Sequence, residues 1–292
     1  MSFRKILFLC LLCVGVSCTK KEPEKTPTAP TILVTIAPYA TITEAIAGQT
    51  VTIETLIPST ANIHVYEPTP KQVESSIKAK VWFRIDELFE VKMLRFIEEQ
   101  NPEQKIVNLQ EGLNLLPSHD AVSLTPCTHA HYHGAYDLHT WLNPIFVKQQ
   151  AKTIHDTLVE LFPEHEKLYT KNLIKLIQKL TDLNETIAEL LAPYQGEAIL
   201  SSHPAFAYFC KEYDLLQLSV ECEGKEPRPK DVEEIFKKAQ NYHPRVALLQ
   251  LGFNNRGAEL IAKKLGIPIY TFNPFSRDYF TNMKQLAEHI AQ

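Results

Sequence analysis

The sequence predicts an α/β protein of two lobes, each with a four-stranded parallel sheet and flanking helices, joined by one long linker helix. Three observations lead there. Short apolar segments alternate with helical patterns between residues 31 and 109, the same rhythm restarts at residue 198, and one long amphipathic helical stripe lies between. A βαβα rhythm implies parallel strands covered by helices, and 292 residues are more than one core usually fills.

Taken in order, Ile32–Ile36 reads as a strand and Ala40–Ala47 as a short helix stopped at Gly48. Val51–Ile57 is a strand of alternating apolar positions, and Pro70–Ala79 a helix with proline in its first turn. Lys80–Ile85 and Lys105–Leu109 are strands flanking a helix over Phe89–Glu99. Glu111–Asp137 breaks the rhythm and reads as a long loop. Between Pro163 and Pro193, Leu173, Leu176, Ile177, Leu180, Leu183, Ile187, Leu190 and Leu191 recur at helical steps. Strands then return at Ala198–Ser201, Leu216–Val220, Arg245–Leu251 and Ile267–Phe272. Helices follow at Phe206–Tyr213, Lys230–Ala239, Ala258–Lys264 and Tyr279–Ala291. The expected division is a lobe over 31–162, a linker helix over 163–193 and a second lobe over 194–292. The halves repeat in pattern and not in residue identity.

The first 30 residues carry a different message. Arg4 and Lys5 precede an apolar run, Ile6–Val16, of signal-peptide length and too short to span a bilayer. It ends in Val-Gly-Val-Ser-Cys18, which resembles a bacterial lipoprotein cleavage box, with Gly15 where leucine is usual. Residues 1–18 are therefore expected to be an export signal with Cys18 as the lipidated residue, and the proline-rich polar stretch 19–30 a disordered tether. The mature chain would sit on the periplasmic or cell-surface side of a bacterial membrane. Beyond the anchor remain Cys127, Cys210 and Cys222, an odd number, and an oxidising compartment permits a Cys210–Cys222 bridge. A net charge of −4 gives no reason to expect a nucleic-acid partner.

Chemistry concentrates in histidine. Four of the chain's 11 histidines, at 129, 131, 133 and 139, fall within "CTHAHYHGAYDLHTWLNP", and neutral imidazole is the commonest metal ligand. Ligands of open parallel sheets bind beyond the C-terminal ends of strands. His64 follows the strand Val51–Ile57, His203 follows Ala198–Ser201, and His139 stands where the chain enters a helix at Trp141-Leu-Asn-Pro144. Spacing alone does not single these three out.

The segments "NIHVYEPTPKQV", "DLHTWLNP", "SSHPAFAYFCKEYDL" and "KEPRPKDVEEI" resemble the solute-binding proteins of ABC transporters that import zinc, manganese or iron. The resemblance runs over nearly all of the mature chain, in the family's order. It implies two α/β lobes joined by a long helix, and metal-binding histidines at His64, His139 and His203. It also implies an ABC permease as partner and a monomeric, membrane-anchored carrier that is not an enzyme. Members for manganese and iron add a carboxylate from a C-terminal Leu-Asp-Pro; here the stretch is Phe272-Asn273-Pro274. Asn273 offers only a neutral amide oxygen, so three imidazoles with water or Asn273 in fourth place favour Zn²⁺ over Mn²⁺ or Fe. A nearby acid, Glu67 or Glu87, would then help to balance the ion's charge. His129, His131 and His133 resemble the histidine-rich loop of zinc members, with Cys127 beside them. The competing readings are a zinc hydrolase, which lacks His-Glu-x-x-His and a motif-placed base, and an adhesin of the same appearance.

Overall fold

The computed structural model describes residues 29–118, 122–124, 135–221, 227–228 and 231–292. The expectations for Cys18, Cys127, Cys222, His129, His131 and His133 lie outside the described residues.

The first sheet contains β1 (Thr31–Val34), β2 (Thr52–Thr55), β3 (Val81–Arg84) and β4 (Lys105–Asn108), interleaved with α1 (Ala37–Ala47), α2 (Pro70–Ser76) and α3 (Leu88–Gln100). All pairs are parallel, in the order β2-β1-β3-β4. The short strand β5 (Val122–Ser123) precedes two helices, α4 (Pro144–Leu161) and α5 (Glu166–Leu191). The second half comprises β6 (Ala198–Ser201), α6 (Ala207–Glu212), β7 (Leu216–Ser219), α7 (Val232–Gln240), β8 (Ala247–Gln250), α8 (Arg256–Leu265), β9 (Ile269–Phe272) and α9 (Tyr279–Ile290). Its sheet runs β5-β7-β6-β8-β9. Without β5, the two sheets share one topology: the first strand of each half lies between the second and the third. Both therefore have a switch point beside their first strand, where ligand crevices form.

β5 is the feature the sequence did not announce. Two residues of the long loop pair in parallel with β7. The Leu124 amide adds a bond to the Ser219 carbonyl at 2.9 Å, and the Leu124 side chain is buried in the C-terminal core. A segment from before the linker thus closes the β7 edge, which an open sheet would leave exposed.

The linker helix forms because its apolar residues return every third or fourth position. Tyr169, Leu176, Leu180, Leu183, Ile187 and Leu191 are buried in one stripe, while Ile174, off that stripe, is exposed. Its 26 residues span about 39 Å at 1.5 Å per residue. It packs on α1 and α4 at one side and on α9 at the other. One continuous core therefore joins Ile32 and Trp82 of the first sheet through Leu180 to Ile199 and Phe206 of the second half. The lobes are fixed to a shared spine.

Leu180 is fully buried, so Leu180→Ala should destabilise the folded chain by about 2–5 kcal/mol in urea unfolding. Ile174→Ala should change stability by less than about 0.5 kcal/mol.

Candidate metal centre

Each of the three histidines is delivered by a local structure its neighbours dictate. His64 lies in a 3-10 turn, Ile63–Val65, whose amide at His64 is capped by Asn62 Oδ1 at 3.0 Å. Gln72 holds that loop by donating from Nε2 to the Leu56 carbonyl and to Tyr66 Oη, both at 2.7 Å. His139 opens the turn Thr140–Leu142. There Trp141 Nε1 donates to the Pro274 carbonyl at 2.8 Å, and Asn143 Oδ1 caps α4 at the Ile145 and Phe146 amides. His203 follows β6, the central strand at the switch point, and its carbonyl accepts from Gln250 Nε2 at 2.7 Å.

These three rings, distant in sequence, meet. His64 Nε2 lies 3.0 Å from His203 Nε2, which lies 3.3 Å from His139 Nε2. The three possible donor atoms all fall within 4.8 Å of one another. Tetrahedral bonds of about 2.05 Å put neighbouring donors about 3.3 Å apart, so the spacing fits one small ion. His139 and His203 are buried, and His64 is partly so. A cavity of about 150 Å³ adjoins the triad and is lined by Leu88, Phe89, Tyr136 and Pro204 among others.

The opposite ring nitrogens explain the orientation. His139 Nδ1 is 2.7 Å from Asp137 Oδ1, which also accepts the His139 amide at 2.8 Å. His203 Nδ1 is 3.3 Å from Glu221 Oε1, and His64 Nδ1 is 3.5 Å from Glu87 Oε2. A carboxylate at Nδ1 favours the proton there, and a neutral ring in that tautomer carries its lone pair on Nε2. Three such lone pairs aimed at one point repel each other, and a cation among them removes the repulsion. Carboxylates behind ligating histidines also raise the basicity of the rings. At His139, burial disfavours the charged ring, but the charge and hydrogen bond of Asp137, followed by the charge of Glu87, outweigh it and raise the pKa above the ordinary value. Glu87 itself is set by Glu90, fully buried, whose carboxylate accepts the Glu87 amide at 3.0 Å and the Ile85 amide at 3.2 Å. Burial pushes the Glu90 carboxyl up to about 7, although hydrogen bonds from Thr35 and Ile85 oppose the rise.

The other named residues separate. Glu87 stands behind His64, whereas Glu67 is exposed. Asn273 Oδ1 accepts the Phe275 amide at 2.9 Å. Cys210 is a buried free thiol. Sequence reasoning missed Asp137 and Glu221. Asp137 had a signal in Asp-Leu-His, two residues before the ring it holds; Glu221 had none, because it reaches His203 from the segment leaving the neighbouring strand β7.

A family profile described as the periplasmic component A of the zinc-uptake complex, ZnuA, matches residues 32–292. The chain belongs to this family. A putative metal-binding protein of Chlamydia trachomatis serovar D is 30% identical over 288 residues, covering 98% of this chain and 99% of that protein. A crystal structure of ZnuA superposes with a TM-score of 0.81 at 28% identity, over 90% of this chain and 98% of that one. A zinc-bound deletion mutant of ZnuA superposes at 0.79 with 29% identity, over 90% and 97%. Membership of the ZnuA family makes this chain a metal-binding, extracytoplasmic component of an ABC importer, and accounts for the paired sheets and the helix between them.

Asp137→Asn removes the charge that raises the His139 pKa. In an NMR titration of the metal-free protein, the His139 ring should then titrate at lower pH than in the wild type.

Proposed function

We propose that this chain captures Zn²⁺ through Nε2 of His64, His139 and His203 and presents it to the permease of an ABC importer. The observation that carries the reading is the convergence of three Nε2 atoms whose opposite nitrogens each face a carboxylate. Imidazole donors at this spacing suit Zn²⁺, while Mn²⁺ prefers oxygen, and the acids here lie behind the rings. With Asn273 Oδ1 engaged by the Phe275 amide, water takes the fourth position. The three carboxylates balance the ion's charge through the rings, the role first sought in a single acid. Zinc names among the family and its solved relatives point the same way. Residues 31–162 and 194–292 act as the two lobes that clasp the ion, with 163–193 as their spine. Lipid at Cys18 and the tether over 19–30 hold the monomeric carrier on the periplasmic or cell-surface side of the membrane, and the loop with His129, His131 and His133 collects zinc for the site.

Zinc titration of the full mature chain tests this. The wild type should bind one tight equivalent, and His64→Ala, His139→Ala and His203→Ala should each weaken it by at least about a hundredfold, a loss beyond that of an outer-shell partner. Only neutral rings bind the ion, so acidification through the imidazole range should cost affinity, up to about tenfold per pH unit for each ring that must lose a proton. His139, with its raised pKa, starts this loss at higher pH than an ordinary histidine would. Undiminished binding by the triple variant, or at pH 5, would refute the assignment.

A further inference from the structure

We infer that Phe253 is a positioning and water-excluding residue of the histidine triad, carried on a lid that spans the two lobes and limits release of the metal. The inference rests on the metal site proposed above. Phe253 lies on the loop that leaves β8. Its ring stacks on His203 with centroids 4.6 Å apart and planes inclined by 26°. Its edge meets His64 at 6.1 Å and 65°. It therefore touches one histidine from each half of the chain, while the third, His139, has Trp141 beside it at 5.2 Å.

The lid is a built structure. Asn255 Nδ2 donates to the Gln250 carbonyl at 2.9 Å and to the Phe253 carbonyl at 3.2 Å, and Asn255 Oδ1 accepts the Gln250 amide at 3.1 Å. Gln250 is fully buried and donates from Nε2 to the His203 carbonyl. Loop and ligand backbone are thus one hydrogen-bonded unit on the C-terminal half. Its other side rests on the N-terminal half. Gly252 has φ +88°, and a Cβ there would stand 2.6 Å from the Thr60 carbonyl oxygen and 3.3 Å from the Ala61 carbonyl carbon. Only glycine permits so close an approach at that φ. Thr60 and Ala61 lead directly into Asn62, the residue that caps the His64 turn. The lid consequently closes on the segment that carries His64.

The consequence follows from charge and solvent. An imidazole bound to a dication carries part of its positive charge, and an aromatic face stabilises cationic groups lying against it. The same ring fills space that water would need in order to replace a histidine at the metal. Lifting Phe253 from His203 and His64, eased by parting Gly252 from Thr60, admits water to the rings and speeds departure of the ion.

Stopped-flow release of Zn²⁺ from the loaded full chain into excess chromogenic chelator tests this, using Phe253→Ala, Phe253→Leu and Gly252→Ala. Phe253→Ala should release zinc about tenfold faster or more, with unchanged melting of the metal-free chain. Phe253→Leu should fall between, and Gly252→Ala should also accelerate release although the Phe253 ring is intact. With Co²⁺ as probe, Phe253→Ala should weaken the visible absorption as water joins the metal. Equal release rates for wild type and Phe253→Ala would overturn the lid while leaving the metal site standing. Acceleration matched by equal destabilisation of the metal-free chain would reduce Phe253 to packing and overturn it too. A wild-type chain that binds no metal would overturn both the lid and the site beneath it.

Discussion

Three imidazole nitrogens share one point because three carboxylates hold the rings from behind. Glu87, Asp137 and Glu221 each face an Nδ1, and this fixes which nitrogen is left for a ligand. The rest of the site serves that constraint. Glu90 sets the turn of Glu87, the paired amide and ring of His139 share a single oxygen of Asp137, and β7 brings Glu221 beside β6. Without a cation the arrangement concentrates lone pairs; with one, it becomes a preorganised chelate.

Preorganisation also requires that the two halves stay in register. A core that runs unbroken from the first sheet through α5 to the second half makes wide hinge opening costly, since parting the lobes would expose apolar surface at about 25 cal/mol per Å². Motion is more cheaply confined to the loops above the crevice. That division suits the proposed carrier: the spine keeps the three rings close enough to share one ion, and the loops are the parts free to move. β5, contributed by the segment before α4, adds a further tie by pairing with β7 of the second sheet.

Much of this was legible in the sequence. Alternation of strand and helix gave both sheets, because the central strands β1, β3, β6 and β8 are short, almost continuously apolar and buried. The stripe from Leu173 to Leu191 marked the spine. Rank by position at strand ends, sharpened by resemblance, selected His64, His139 and His203. What stayed hidden depends on distance in space. Val122-Ser123 is too short to carry periodicity, and its pairing is decided by an open edge 96 residues onward. Glu221 reaches His203 across a strand pair, and Phe253 reaches His64 across the lobe boundary; neither has a local signature. Glu67 and Glu87 stood as alternatives for the acid that balances the ion, and only the fold of the loop after β3 distinguishes them.

The most direct test is X-ray absorption at the zinc edge on the full chain loaded with one equivalent of Zn²⁺. Three imidazole nitrogens at about 2.0–2.1 Å, with one further light donor and no sulfur, are expected. A first shell with fewer than three imidazoles, or with a thiolate at about 2.3 Å, would contradict the triad as the site of capture.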